Sequence, residues 1–188
     1  MKWFACAIAT ISLGLAGFVC ATPQYEPANS AASQASSDSG QLQRMLVDYR
    51  LAEILSHYFA SNQAALQGSP MRAVFEHFNM IQEPELARVM VPALRDCATE
   101  DEARRVADFL ETKTGHTIMD YTIANLADPQ HSLPRPQIDP RAMQSFQASG
   151  GLAAMNKFGA CLQAPDGQRR ATIALVHYLT RPEVNPGT

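Results

Sequence analysis

From Leu42 onward, apolar residues return every three or four positions, and this spacing constrains the chain more than any other feature. Leu42, Met45, Leu46, Tyr49 and Ala52, then Leu55, Tyr58 and Phe59, fall on one side of a 3.6-residue spiral. A β-strand needs alternation with period two, and no convincing alternating run occurs anywhere in the chain. The class that follows is all-α: a compact bundle of about seven or eight helices between residues 41 and 180.

The punctuation agrees. The first stripe predicts one long helix ending near Leu66, with Gly68 just beyond. Ser69-Pro70 places a cap before a proline at the first helical position. The helix it opens carries Val74, Phe75, Phe78 and Ile81. Pro84 begins a third helix through Leu86, Val89, Met90, Ala93, Leu94 and Cys97, which Pro92 should kink or split. Thr99-Glu100-Asp101-Glu102 has the form of a capping box, ahead of Val106, Phe109 and Leu110. A fifth helix holds Ile118, Tyr121 and Leu126. Residues 128–138 carry three prolines and form a loop. Asp139-Pro140 repeats the cap-then-proline device before a short helix with Met143 and Phe146. A further helix runs to about Leu162. Pro165-Asp166-Gly167 turns the chain into a last helix with Ile173, Val176, His177 and Leu179.

The two ends differ from this pattern. Lys2 precedes an apolar run from Trp3 to Val19, with small residues at the exit and Val19 and Ala21 placed for cleavage after Ala21. Residues 1–21 therefore form a cleaved signal peptide. A membrane span needs about 20 apolar residues, and this run falls slightly short before turning polar. Lipidation at Cys20 is the second reading, weakened by Val19 standing where a small residue is usual. Residues 22–40 are rich in Ser, Ala, Gln and Pro and bury too little to offset ordering entropy, so they form a flexible tether. Residues 181–188 form a disordered tail.

Export redefines the four cysteines. Cys6 and Cys20 leave with the leader, and Cys97 and Cys161 remain as a pair in an oxidising compartment. A structural disulfide is the first reading. Two buried thiols and a redox pair stand behind it, the latter lacking Cys-x-x-Cys spacing. Loss of Lys2 with the leader takes the net charge from −3 to −4. A nucleic-acid binder normally shows a basic face, so that class is excluded.

Phe109-x-x-Thr112-x-x-Gly115 has an echo in Phe146-x-x-Ser149-x-Gly151. Each unit reads as cap, helix, hydroxyl–glycine corner, helix. Glycine removes the steric cost of positive φ and allows close helix approach, and the hydroxyl satisfies groups left open at the break. A duplicated helical hairpin and a chance echo both fit, because the second copy is one residue shorter.

The first corner resembles a domain-of-unknown-function family of small exported helical proteins of Gram-negative bacteria. Its signature is an aromatic, two residues, Ser/Thr-Pro-x-Gly, then Lys or Gln. Phe109, Thr112 and Gly115 match, Lys113 stands in place of proline, and His116 takes the basic or polar place. The resemblance covers about a third of the folded part. It implies a periplasmic helical protein and carries over no catalytic residue.

Chemistry-bearing patterns are sparse. There is no glycine-rich phosphate loop, His-Glu-x-x-His, calcium loop or Gly-x-Ser-x-Gly elbow. His57, His77, His116, His131 and His177 never pair at metal-ligand spacing. Glu83 and Glu85, and Glu100, Asp101 and Glu102, sit at helix starts, where they complement the macrodipole. No catalytic residue, metal or cofactor is assigned. The adjacent pairs Arg104-Arg105 and Arg169-Arg170 are candidate contacts to an anionic partner. The second pair is preferred, because positive charge at a helix start is locally unfavourable.

Three functions follow in order. The first is a non-enzymatic periplasmic module that binds another periplasmic or secreted protein, such as an immunity or inhibitor protein against an envelope-directed toxin. The second is a carrier of a small apolar ligand or lipid, drawing on eight Met and eight Phe. The third is an envelope hydrolase using distant carboxylates.

Overall fold

The structure is a computed structural model that describes residues 40–61, 82–128 and 133–181. The expected leader, nearly all of the tether, the helix after Ser69-Pro70, His77, His131 and the tail from residue 182 lie outside the described residues. Within them the chain forms eight helices: α1 (Gly40–Asp48), α2 (Leu51–Ser61), α3 (Glu83–Leu94), α4 (Glu100–Leu110), α5 (Lys113–Ala127), α6 (Pro140–Ala148), α7 (Gly151–Gln163) and α8 (Pro165–Leu179). The described residues contain no strand, as the 3.6-residue periodicity requires.

Helix α4 is the hub, with α1, α5 and α7 packed around it. Helix α3 lies against α1, α2 and α8, and α2 lies against α5. Leu42, Met45 and Leu46 from α1, Leu86 and Met90 from α3, Val106 and Leu110 from α4, Met155 and Phe158 from α7, and Leu175 and Leu179 from α8 share one buried cluster. Each of these stripes repeats at helical spacing, so burying one face costs no exposed apolar surface on the other.

Local signals set most boundaries. The Thr99 hydroxyl accepts from the Glu102 amide at 3.2 Å, and the Glu102 carboxylate accepts from the Thr99 amide at 2.8 Å. This reciprocal cap is worth about 1 kcal/mol. The Asp139 carboxylate accepts from the Arg141 amide at 2.9 Å and starts α6. Pro92 neither splits nor ends α3 at once; the helix continues to Leu94. A proline this close to the C-terminus removes one hydrogen bond where the helix is about to finish.

The long first helix expected from the sequence is two helices. They meet at Tyr49-Arg50, and Arg50 has φ +53°, in the left-handed region. The Arg50 amide donates to the Val47 carbonyl at 2.8 Å, and its carbonyl accepts from the Ile54 amide at 3.0 Å. One residue thus closes α1 and opens α2. Arginine is poorly suited to both tasks. Glycine is the usual left-handed closer, and a non-glycine residue there costs about 1 kcal/mol or more. An N-cap needs an acceptor side chain, which arginine lacks. The missing acceptor comes from 33 residues away in sequence: the Glu83 carboxylate takes the Ala52 amide at 2.8 and 2.9 Å, together with the amides of Leu51 and Glu53. The Arg50 guanidinium donates to Glu53 at 2.7 Å and to Asp120 of α5. Nothing in the local sequence announces this break.

Cys97, in the turn after α3, is bonded to Cys161 in the last turns of α7, with Cα atoms 5.4 Å apart. A loop of this length restricts the unfolded chain by about 4 kcal/mol in the loop-entropy model.

Candidate functional site

The two expected corners come together. Phe109 from the end of α4 and Phe146 from α6 stack face to face, with centroids 3.9 Å apart and planes 11° from parallel. Their hydroxyls are wired alike. Thr112 Oγ1 donates to the Phe109 carbonyl at 2.7 Å and accepts from the Gly115 amide at 3.1 Å. Ser149 Oγ donates to the Phe146 carbonyl at 2.8 Å and accepts from the Gly151 amide at 3.3 Å. Each short side chain fills a carbonyl and an amide that a helix break leaves open.

The glycines divide their work differently from the expectation. Gly115 is helical, and among the described glycines only Gly150 has positive φ, at +80°. Gly115 is needed for close approach: a Cβ there would stand 2.2 Å from the Phe109 carbonyl oxygen and 2.6 Å from Leu110 Cα. At the second corner Gly150 takes the left-handed turn, while a Cβ on Gly151 would meet the Phe146 ring at 2.1 Å.

The turn expected at Pro165-Asp166-Gly167 is a third corner, whose likeness to the first the sequence reading did not show. A Cβ on Gly167 would stand 1.9 Å from the Cys161 carbonyl oxygen and 2.9 Å from its carbonyl carbon. Cys161-Leu162-x-Ala164-Pro165-x-Gly167 thus repeats the register of Phe109-Leu110-x-Thr112-Lys113-x-Gly115. In both, the glycine is the third residue of its helix and rests on the carbonyl six residues back. Pro165 occupies the position that Lys113 fills in the first corner. The clue was the six-residue step to glycine; the absence of an aromatic or hydroxyl residue hid it.

The arginine pairs have separate employments. Arg104 and Arg105 both bind Asp101, and Arg104 first, then Arg105, hold that carboxyl below its usual value. Arg105 also lies beside Gly150 at the second corner. Arg170 donates from Nε to the Ala93 carbonyl at 3.0 Å, closing the end of α3. Arg169 is exposed. It stands on the outer stripe of α8 with Asp166, Ile173 and His177, while Ala171, Leu175, Tyr178 and Leu179 face the core. Ile173 is 59% exposed, the more open of two exposed large apolar residues among those described.

A charged cluster at the meeting of α1, α4 and α5 was also missed. Arg44 grips Glu111 through two bonds of 2.7 and 2.6 Å and reaches Asp108 at 2.8 Å. Arg44 holds the Glu111 carboxyl below its ordinary range. Asp48, at the end of α1, is pushed the other way, by burial first and by Glu111 second, with Arg44 and His116 opposing. Its Oδ2 is buried without a hydrogen-bond partner among the described residues.

Among the described residues no three His, Cys, Asp or Glu side chains are grouped to hold a metal ion, and no helix is long and apolar enough to cross a membrane. Met45, Met90, Met119 and Met155 are buried in the core cluster. Compared with family models, curated proteins and solved structures, the chain matches none.

Proposed function

We propose that this chain is an exported, non-enzymatic protein-binding module of the periplasm, of the kind that neutralises an envelope-directed toxin or hydrolase, and that α8 presents its docking face. The observation that carries the reading is the pairing of Arg169 with Ile173 one turn later on the outer stripe of α8. An exposed branched apolar side chain beside a guanidinium suits a partner that offers an apolar pocket rimmed by a carboxylate. The leader read in residues 1–21 and the Cys97–Cys161 bond are both compatible with an oxidising compartment.

The test is cross-linking capture from periplasmic extract of the native host, followed by binding measurements with Arg169→Glu and Ile173→Asp. Each substitution should weaken the captured complex at least about tenfold, since a buried anchor is worth more than 1.4 kcal/mol. Failure to capture any stable protein partner, or indifference of the complex to both substitutions, counts against the reading. Mass spectrometry of the mature N-terminus checks export: an end at Thr22 supports a soluble periplasmic protein, and a diacylglyceryl Cys20 replaces it with a lipoprotein.

A further inference from the structure

We propose that residues 133–139 form a second docking element: an extended strap, pinned to the bundle at both ends, that presents Pro134-Arg135-Pro136 to a partner protein. The partner's aromatic-lined groove reads polyproline-type segments and carries a carboxylate for the arginine. The proposal does not rest on α8.

Covalent structure sets the backbone first. Pro134 and Pro136 fix their own φ at about −65°. Leu133, Arg135 and Asp139 each precede a proline, which pushes them out of the helical region towards an extended one. Asp139 shows the effect, with φ −66° and ψ 114°. Only Gln137 and Ile138 lack such a restraint, and residues 133–139 carry no helix, strand or turn. Tertiary contacts then hold the ends. The Leu133 amide donates to Asn125 Oδ1, and the Leu133 carbonyl accepts from the Tyr121 hydroxyl, both at 3.3 Å. Asn125 is itself oriented by the bond from its Nδ2 to the Tyr121 carbonyl at 2.7 Å. At the far end Ile138 packs against the core, and the Asp139 cap fixes the start of α6.

Between these anchors Pro134, Arg135 and Gln137 are exposed and Pro136 is half-buried. Joining two helices does not require this. The connection from α5 to α6 has 12 residues, 128–139, where about two to eight is usual in a helical bundle. A strap ordered before it meets a partner loses less freedom on binding, which raises affinity. Its chemistry selects the partner. Proline has no N–H, so positions 134 and 136 cannot donate to a sheet edge, and pairing as an added strand is disfavoured. The mode that fits is an extended segment laying its rings on aromatic side chains. Arg135 keeps its charge at every physiological pH and calls for a carboxylate or an aromatic face beside that groove.

The test expresses the full chain in its native host with Gln137 replaced by p-benzoylphenylalanine and identifies the protein cross-linked on irradiation. Calorimetry with that purified protein then measures binding by variants that keep the parent's helical circular dichroism. Arg135→Glu, and Pro134→Ala together with Pro136→Ala, should each weaken binding at least about tenfold. Asn125→Ala releases Leu133 but leaves the exposed residues in place, and should weaken it about threefold or more. NMR of the free parent should show extended φ at Leu133 and Arg135, with backbone order matching α5. No cross-link at position 137, indifference to both strap substitutions, or random-coil shifts over residues 133–138 in the free protein each overturns the proposal. Cleavage of the strap by the captured protein overturns it too, since the partner is then a peptidase. Weakening by the strap variants alone upholds the proposal and counts against the α8 face. Weakening by Arg169→Glu and Ile173→Asp alone overturns it and leaves the α8 face standing.

Discussion

The α4–α5 corner and the α1–α2 joint both turn one helix into the next within two residues, by opposite means. The corner carries its instructions with it. Thr112 accepts the amide that needs an acceptor, and Gly115 leaves room for the Phe109 carbonyl. The joint borrows its instructions: Arg50 can neither accept nor relax in the left-handed region, and Glu83 and Asp120 supply what it lacks. A corner of the first kind resists any change in conditions short of unfolding. A joint of the second kind is only as firm as the charges that hold it.

The sharpest test of this contrast adds a methyl group at the corners. Gly115→Ala and Gly167→Ala drive a Cβ into backbone atoms that cannot rotate away. Each should destabilise the fold by about 3 kcal/mol or more. Gly151→Ala meets an aromatic side chain instead, and ring displacement should keep its cost to about 1–2 kcal/mol. Denaturant unfolding of the oxidised protein measures all three. Equal costs at Gly115 and Gly151 break the distinction between backbone and side-chain contact.

Removal of the remote cap comes next in size. Glu83→Ala leaves the first amides of α2 without their acceptor and should cost about 2 kcal/mol. The loss should be local, appearing as accelerated amide exchange at residues 51–53 before any change in α4 or α7. If exchange there stays at the wild-type rate, the joint is held by packing alone.

This difference also explains what could be read in advance. The all-α class, the start of α4 at the Thr99 box, the start of α6 at Asp139 and the Cys97–Cys161 pairing were legible because each depends on residues near in sequence or on a count of two. The two hydroxyl corners were legible for the same reason, and their mutual stacking through Phe109 and Phe146 was not, since 36 intervening positions separate the rings. The division of α1 from α2 was invisible because its causes, Glu83 and Asp120, lie far along the chain. The Arg44–Glu111 cluster escaped similarly, being assembled by tertiary packing from residues 67 apart. Of the four candidate arginines, sequence identified the positions but not their tasks: Arg170 closes α3, Arg104 and Arg105 bind Asp101, and Arg169 remains on the exposed stripe of α8.

A smaller effect tests the local code within the first corner. Thr112→Ala removes one acceptor and one donor at the start of α5 and should cost about 1 kcal/mol. The change should be insensitive to pH through the carboxylate range, because no charge is involved. A strong pH dependence in this variant's thermal midpoint, measured against the parent, would tie the corner to the nearby Arg44–Glu111 cluster and blur the division between local and borrowed instructions.

The smallest expected effect has the opposite sign and lies on the borrowed side. Asp48 closes α1, where negative charge opposes the helix dipole, and its Oδ2 is buried without a hydrogen bond among the described residues. Burial, then Glu111, raise its carboxyl above the ordinary value. A raised acid favours the protonated form in the folded state, so its stabilising contribution is full below the unfolded pKa and is lost as pH rises through the folded one. At neutral pH the ionised side chain is therefore a net burden. Asp48→Asn should raise stability by about 0.5–1 kcal/mol at pH 7. The gain should vanish by about pH 3, where the parent carboxyl is itself neutral. A variant less stable than the parent at pH 7 would show that the Asp48 charge is held by partners after all. The joint would then owe its bend to α1 as much as to Glu83 and Asp120.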